Sequence, residues 1–389
     1  MMALLDDSKT APEVGDGGIP KTFRAAVLRA PGEAMKIEDV EARPLGPRDV
    51  MVKIRAAGLC HTDLEVIGGS LRLNMPAVLG HEAAGVVTAA GPETKGVSVG
   101  DHVILSWNPK CGDCFYCDQS LPILCETFLE NGSAGFAFDG RPRARLAGGG
   151  NLHQLMYLGT FAEYCVVEDQ QAIPVPKEMP FDRAALIGCG VMTGVGAALN
   201  VADIRPGSTA MVIGCGAVGL AAVQGAVMAG ARNVIAVDLN EKRLDAACQM
   251  GATHRINPMT GSVEDLARSL TDGRGADVVM ESAGNEPAFR LSVEAVRPGG
   301  EVIWLGKTDV EKDVAFRWGS LMQEKRIRRS SYGNTRPRRD FPMLCQKYLD
   351  GQLDLDGLIT DRITLDDINE GFDALRRGEA IRSVIEFGE

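Results

Sequence analysis

At 389 residues the chain is longer than one compact core usually spans, so two domains are expected. A composition 45% hydrophobic and 24% charged is that of an ordinary globular protein. The net charge of −11 argues against nucleic acid or an anionic membrane as the main partner, and no apolar run reads as long enough for a membrane span.

Residues 1–22 are polar, with glycines and scattered acids, and lack the basic and apolar regions of a secretory signal. They read as a flexible tail, and the chain as cytoplasmic. Short β-rich runs follow at 25–28, 50–54, 85–87 and 102–105, separated by Pro31-Gly32, Pro44-Leu45-Gly46-Pro47 and Val99-Gly100-Asp101. Within this mostly-β opening stand Cys60-His61-Thr62-Asp63 and Gly80-His81-Glu82. Zinc takes cysteine sulfur and histidine nitrogen, and a catalytic site uses three protein ligands and keeps a fourth place open. Cys60 and His81 are two candidates.

Next comes Cys111, Cys114, Cys117 and Cys125, crowded into one short loop as C-x2-C-x2-C-x7-C. In a reducing compartment such spacing reads as metal ligation; four thiolates close the coordination sphere, so this metal is structural. The segment 126–160 is glycine-rich and irregular, expected at the surface or as a lid. Strand-like text returns at 161–167. Gly188-Cys189-Gly190 then precedes a helical run over 193–201, where a cysteine at the head of a helix would be favoured as thiolate and could complete the first metal site. Cys165, Cys215, Cys248 and Cys345 read as core fillers.

From residue 209 strands and helices alternate, predicting a doubly wound parallel sheet. Gly214-Cys215-Gly216-Ala217-Val218-Gly219 lies between a strand and an Ala-rich helix, and the next strand ends in Asp238, 19 residues beyond Gly219. In G-x-G-x-x-G the first glycine makes the turn, the second admits the pyrophosphate and the third lets helix pack on sheet. The carboxylate accepts hydrogen bonds from the ribose hydroxyls of NAD and would repel the phosphate of NADP. Strands at 276–281 and 301–306, helices at 341–349 and 368–375, and a closing strand at 381–385 complete the reading.

Together these residues make the chain resemble the zinc-containing medium-chain alcohol dehydrogenases, over nearly its whole length, with both metal sites and the dinucleotide motif in the family order. The resemblance implies an α/β fold: an irregular, mostly-β, GroES-like catalytic domain over 23–190 and 332–389, and a Rossmann dinucleotide-binding domain over 191–331. It implies two zinc ions per chain, one catalytic on Cys60, His81 and Cys189 and one structural on the four-cysteine loop. Glu82 matches a carboxylate behind the catalytic metal, Asp63 a group that orients the imidazole, and Thr62 the hydroxyl that takes the alcohol's proton. Thr193 and the backbone near Leu305 and Ser330 match nicotinamide contacts. His61 and Arg382 match pyrophosphate contacts, and Arg243 an adenosine-ribose contact. The implied reaction is oxidation of an alcohol to an aldehyde or ketone, and its reverse, by hydride transfer to NAD.

Two positions depart from the family pattern. Glu65 stands where many relatives end the proton relay in a histidine, and His61 stands where some use arginine. Trp107, with Leu71 and Leu155 as further candidates, falls where the family lines its pocket, suggesting a hydrophobic primary, allylic or aromatic alcohol. The long 126–160 insertion resembles that of dimeric members, and a dimer edge is expected near 304–316. Rival readings are a thiol-adduct (S-hydroxymethyl) dehydrogenase, a nicotinoprotein that retains its NAD(H), and a catalytically silent structural protein on the same fold. Against the first, the expected arginine just past Cys125 is absent, for the chain reads Thr127-Phe128-Leu129-Glu130.

Overall fold

Near-continuous burial along the strand Asp49–Gly58 makes it the spine of a seven-stranded sheet in the computed structural model, which describes residues 20–132 and 135–388. Most of the expected flexible tail, residues 1–19, lies outside the described residues. The sheet runs Ala172–Pro174, His102–Leu105, Glu82–Ala90, Asp49–Gly58, Arg382–Glu386 and Ile359–Ile363, with Tyr164–Glu168 also pairing on Asp49–Gly58. The C-terminal strand thus lies beside the strand that leads directly to Cys60.

Against it stands a closed barrel of Phe23–Leu28, Lys36–Ala42, Ala144–Leu146, Asn151–Gln154 and Ala77–Val78. The segment 126–160, expected as a surface loop or lid, is therefore corrected: it supplies two of the barrel strands. Its glycines serve the turn between them. Gly149 and Gly150 sit at φ 95° and 96°, a conformation that side chains resist, and Leu152 just beyond them is wholly buried. Arg143, 4% exposed, pins the insertion to the spine strand: its Nη2 donates to Asp49 Oδ1 at 2.9 Å while Nε lies 2.9 Å from Oδ2.

The alternating half folds as expected into six parallel strands, ordered His254–Ile256, Asn233–Val237, Thr209–Ile213, Ala276–Glu281, Val296–Trp304 and Arg326–Arg329. The order reverses beside Thr209–Ile213, so the crevice for a ligand opens at the end of that strand. The expected sheet edge at 304–316 is not one: Val296–Trp304 is paired on both sides, and Arg326–Arg329 is outermost.

Between the sheets runs a single helix, Phe181–Val201, with π-helical turns at Ile187–Val191 and Ala197–Val201. It corrects two expectations. It is 21 residues long, with a mean hydropathy of 1.7 over its most apolar 18-residue stretch, long and apolar enough to cross a membrane, yet 78% of that stretch is buried inside the molecule. And Cys189 sits in its middle, inside the first π-turn, rather than at a helix head, so no N-terminal dipole acts on its thiol. One hydrophobic cluster joins Ala84 and Ile104 of the first sheet, Leu186 and Val195 of this helix, and Leu220 and Val212 of the parallel unit. The contact with the Ala217–Met228 helix is close. A Cβ on Gly194 would stand 2.2 Å from the Val218 carbonyl oxygen, and one on Gly225 would stand 2.8 Å from the Ala198 side chain.

Breaking a buried ion pair by removing one partner strands the other charge, at a cost of about 3–5 kcal/mol. Arg143→Met leaves Asp49 in that position, so its denaturant midpoint should fall by a corresponding amount with an unchanged m-value. An unfolding free energy within about 0.5 kcal/mol of wild type, the range of ordinary surface substitutions, would show that the barrel insertion is not anchored by this pair.

Candidate metal and cofactor site

Three elements bring Cys60, His81 and Cys189 together. Cys60 ends the loop after Asp49–Gly58 and caps the helix His61–Ile67; His81 immediately precedes Glu82–Ala90; Cys189 projects from the π-turn. One ligand atom from each of these three, and one from Glu82, lie within 4.8 Å of one another. A π-turn widens the helix by one residue and is found most often at functional sites, which explains how a cysteine in mid-helix reaches the cluster.

The cluster is almost fully desolvated. His81, Glu82 and Asp63 are 0% exposed. Asp63 holds the scaffold: its Oδ2 accepts from the Cys60 amide at 3.2 Å and its Oδ1 from the Gly80 amide at 2.9 Å. The same Oδ1 lies 3.4 Å from His81 Nδ1, which leaves Nε2 as the ring nitrogen available to a metal. Neither nitrogen of His81 makes a hydrogen bond. A buried imidazole nitrogen unpaired beside two thiols is costly unless a metal takes it, so the residues present fit a zinc ion.

The electrostatics agree. The hydrogen bond from Cys189, helped by His81 and Arg382, holds the Cys60 thiol well below the usual range, while the same bond and burial push Cys189 up. Burial alone would lower the His81 pKa, but the charges of Asp63 and Cys60 outweigh it and raise it. Burial pushes the Glu82 carboxyl up to about 8 against the pull of Arg382. Arg382 is itself buried, donating from Nη1 to the Leu59 carbonyl at 3.1 Å and lying 3.2 Å from Glu82 Oε1.

The second cluster also assembles. Cys111, Cys114, Cys117 and Cys125 put their sulfurs within 4.8 Å of one another, with Cys111–Cys117 at 3.9 Å and Cys111–Cys125 at 3.6 Å. A tetrahedron of Zn–S bonds of about 2.3 Å has edges of about 3.8 Å, so the spacing fits. Of the four cysteines expected in the core, Cys165, Cys215 and Cys345 are buried. Cys248 is exposed, because the buried stripe of its helix runs through Leu244 and Ala247.

At the parallel sheet Gly214 takes φ 88°, and a Cβ on Gly219 would lie 1.8 Å from the Gly214 carbonyl oxygen, so neither position accepts a side chain. A Cβ on Gly216, by contrast, would point into open space at the start of the Ala217–Met228 helix, a cradle of the right kind for a pyrophosphate. Val218 lies in the first turn of that helix. Asp238 ends its strand with Oδ2 accepting from the Cys215 amide at 2.6 Å and Oδ1 from Asn240 at 2.8 Å, so the acid is held against the glycine turn. Arg243 reaches the Gly378 carbonyl at 3.4 Å, His61 is exposed at the first helical position, and Thr193 is half-buried one turn after Cys189. Leu305 and Ser330 are buried beside the ends of the last two strands.

The pocket residues are divided. Trp107 stacks on Tyr332 with ring centres 4.1 Å apart and lies 6.1 Å from Phe128, which packs edge-on against Tyr157. Leu155 is core and Leu71 is half-buried against it. Three contributors went unnoticed in sequence. Tyr332 stacks on Trp107 and donates from its hydroxyl to the Gly188 carbonyl, next to Cys189. Glu281, wholly buried with its carboxyl pushed up to about 7 by burial, accepts from Gly284 at 2.7 Å while its carbonyl accepts from Leu305 and Gly306. Lys307 reaches Thr62 and Glu65. Only Glu281 left a signal, as an acid ending an apolar strand.

Comparison with known proteins agrees with this arrangement. The family described as "Alcohol dehydrogenase GroES-like domain" matches residues 46–177, and "Zinc-binding dehydrogenase" matches residues 217–349. An S-(hydroxymethyl)glutathione dehydrogenase of Aspergillus oryzae is 37% identical over 367 residues, 93% of this chain and 95% of that one. Among solved structures, an alcohol dehydrogenase zinc-binding domain protein from Burkholderia ambifaria superposes with a TM-score of 0.90 at 35% identity, covering 95% of this chain and 99% of that one. Benzyl alcohol dehydrogenase from Acinetobacter calcoaceticus superposes with a TM-score of 0.89 at 32% identity, covering 95% and 100%. Two metal-fitting cysteine clusters, a dinucleotide turn at a sheet reversal and likeness along almost the whole chain lead to one assignment: the protein belongs to the zinc-containing medium-chain alcohol dehydrogenases.

Proposed function

We propose that the chain oxidises a primary alcohol bearing an aromatic or similarly flat apolar group to its aldehyde, and catalyses the reverse, with NAD as hydride carrier. The observation that carries the reaction is the buried, unpaired imidazole of His81 beside the thiols of Cys60 and Cys189. The stack of Trp107 on Tyr332, bordered by Phe128, supports the substrate class.

Cys60, His81 and Cys189 would hold the catalytic zinc and the four-cysteine loop the structural one. Bound zinc supplies a Lewis acid that makes an alcohol more acidic, and bound NAD accepts the hydride. Asp63 keeps the imidazole in the orientation that presents Nε2. Glu82, in the same cluster, can approach as ligands exchange. Thr62 takes the substrate proton at Oγ1. The turn of Gly214, Gly216, Val218 and Gly219 receives the pyrophosphate with His61 and Arg382, while Asp238 and Arg243 hold the adenosine ribose. Thr193 and the backbone at Leu305 orient the nicotinamide, fixing distance and angle for transfer. In this reading residues 23–190 with 332–389 form the catalytic domain and 191–331 the cofactor domain. The reduced thiols suit the cytoplasm.

A second reading, an S-(hydroxymethyl)glutathione dehydrogenase, has the names of several relatives in its favour. Against it, the stretch past Cys125 reads Thr127-Phe128-Leu129-Glu130 and offers no arginine where a cation would be wanted for a charged thiol adduct. We also infer a homodimer. Among the described residues the outer strand Arg326–Arg329 has one unpaired edge, and Val310 and Trp318, in the segment that joins the last two strands, are 91% and 77% exposed.

Three measurements test these readings. Steady-state rates over a panel of alcohols with NAD⁺ or NADP⁺ should give the highest kcat/KM for benzyl-type alcohols with NAD⁺; a preference for S-(hydroxymethyl)glutathione would transfer the assignment to the second reading. Metal analysis should find about two zinc ions per chain, and Cys60→Ala should retain about one and lose turnover, because a catalytic site needs its three protein ligands. Wild type should sediment as a dimer of the 41.4 kDa chain and Trp318→Glu as a monomer; a monomeric wild type would refute the shared edge.

A further inference from the structure

Lys307 follows the strand Val296–Trp304 by three residues, and its side chain crosses to the other half of the molecule. Its Nζ lies 3.3 Å from Thr62 Oγ1 and 3.5 Å from Glu65 Oε2, both on the helix His61–Ile67. Burial is graded along these groups: Thr62 is 9% exposed, while the side chains of Glu65 and Lys307 are 34% and 49% exposed. A long, half-exposed ion pair adds little to stability. The contact with Thr62 is different, because it sets an ammonium beside a buried hydroxyl and leads outward to solvent. Catalytic hydrogen bonds often tighten only in the substrate complex, so 3.3 Å is within range of a working contact.

We propose that Lys307 is the middle member of the proton path, passing the proton between Thr62 and Glu65. The inference rests on the role given to Thr62 above. In aldehyde reduction the Thr62 O–H bond breaks as its proton goes to the product oxygen. A Nζ–H bond of Lys307 breaks as that proton goes to Thr62 Oγ1. The amine is then reprotonated from solvent by way of the Glu65 carboxyl. Alcohol oxidation runs the same steps backwards. No electrons move along this path; the hydride is accounted for by the cofactor. Lysine acts here through Thr62, positioning its hydroxyl and exchanging a proton with it, without touching substrate.

Arginine separates a relay from mere charge, since a guanidinium donates hydrogen bonds but does not surrender its proton. The test uses the full-length zinc-loaded enzyme, wild type, Lys307→Met and Lys307→Arg. The rate of the first turnover is followed by stopped flow, so that product release cannot mask the step, together with KM for NAD⁺ and zinc content. A removed proton carrier should lower that rate by about 100-fold in Lys307→Met, with zinc content and KM for NAD⁺ unchanged. Added ethylamine should restore much of the rate, and Lys307→Arg should remain slow. A Lys307→Met enzyme with the wild-type rate overturns the proposal, as does full recovery in Lys307→Arg, which would reduce Lys307 to a fixed charge. If wild type itself turned over no alcohol or aldehyde, the reading of the site would fail first, so the two failures are distinct.

Discussion

A desolvated cluster of opposed charges governs the molecule. Cys60, Cys189, Asp63, Glu82 and Arg382 crowd thiols, carboxyls and a guanidinium into one space, where a dication taken up by the thiols would offset negative charge. Unpaired charges in such a place cost several kcal/mol each. The surrounding backbone is accordingly spent on restraining them. The Cys60 and Gly80 amides fix Asp63, the Leu59 carbonyl fixes Arg382, and the C-terminal strand lies next to Asp49–Gly58 so that Arg382 arrives from the far end of the chain.

The cofactor turn is tied to this cluster through one helix. Phe181–Val201 carries Cys189 and, five residues on, meets the Ala217–Met228 helix at Gly194, so closely that a methyl group would collide with the Val218 carbonyl oxygen. A carbon-for-hydrogen change at Gly194 would separate the helix that starts at the dinucleotide turn from the helix that carries the sulfur. Distance between the two reacting partners is thereby set by backbone packing, which is stiffer than any side chain.

Much of this was legible in the residues. C-x2-C-x2-C-x7-C and the strand-framed glycine turn announce their chemistry by spacing, because short local geometry is enough to build both. Cys189 was legible as a ligand candidate but not in its setting, since a π-turn has no compositional mark and two glycines look like a helix start. The 126–160 segment failed for a related reason: its barrel strands are three and four residues long, too short for a period to show. Lys307 and Tyr332 left no sign, because what matters about them is the long-range approach to Thr62 and Gly188.

The wide turn at Ile187–Val191 carries a consequence for how this chain tolerates change. It depends on the number of residues more than on their kind. Dropping one there would let the helix relax to ordinary winding and swing the sulfur by about 100° around the axis, with hydrophobicity and helical propensity hardly altered. Insertions and deletions in this stretch are therefore lethal to the chemistry where many side-chain replacements would be absorbed.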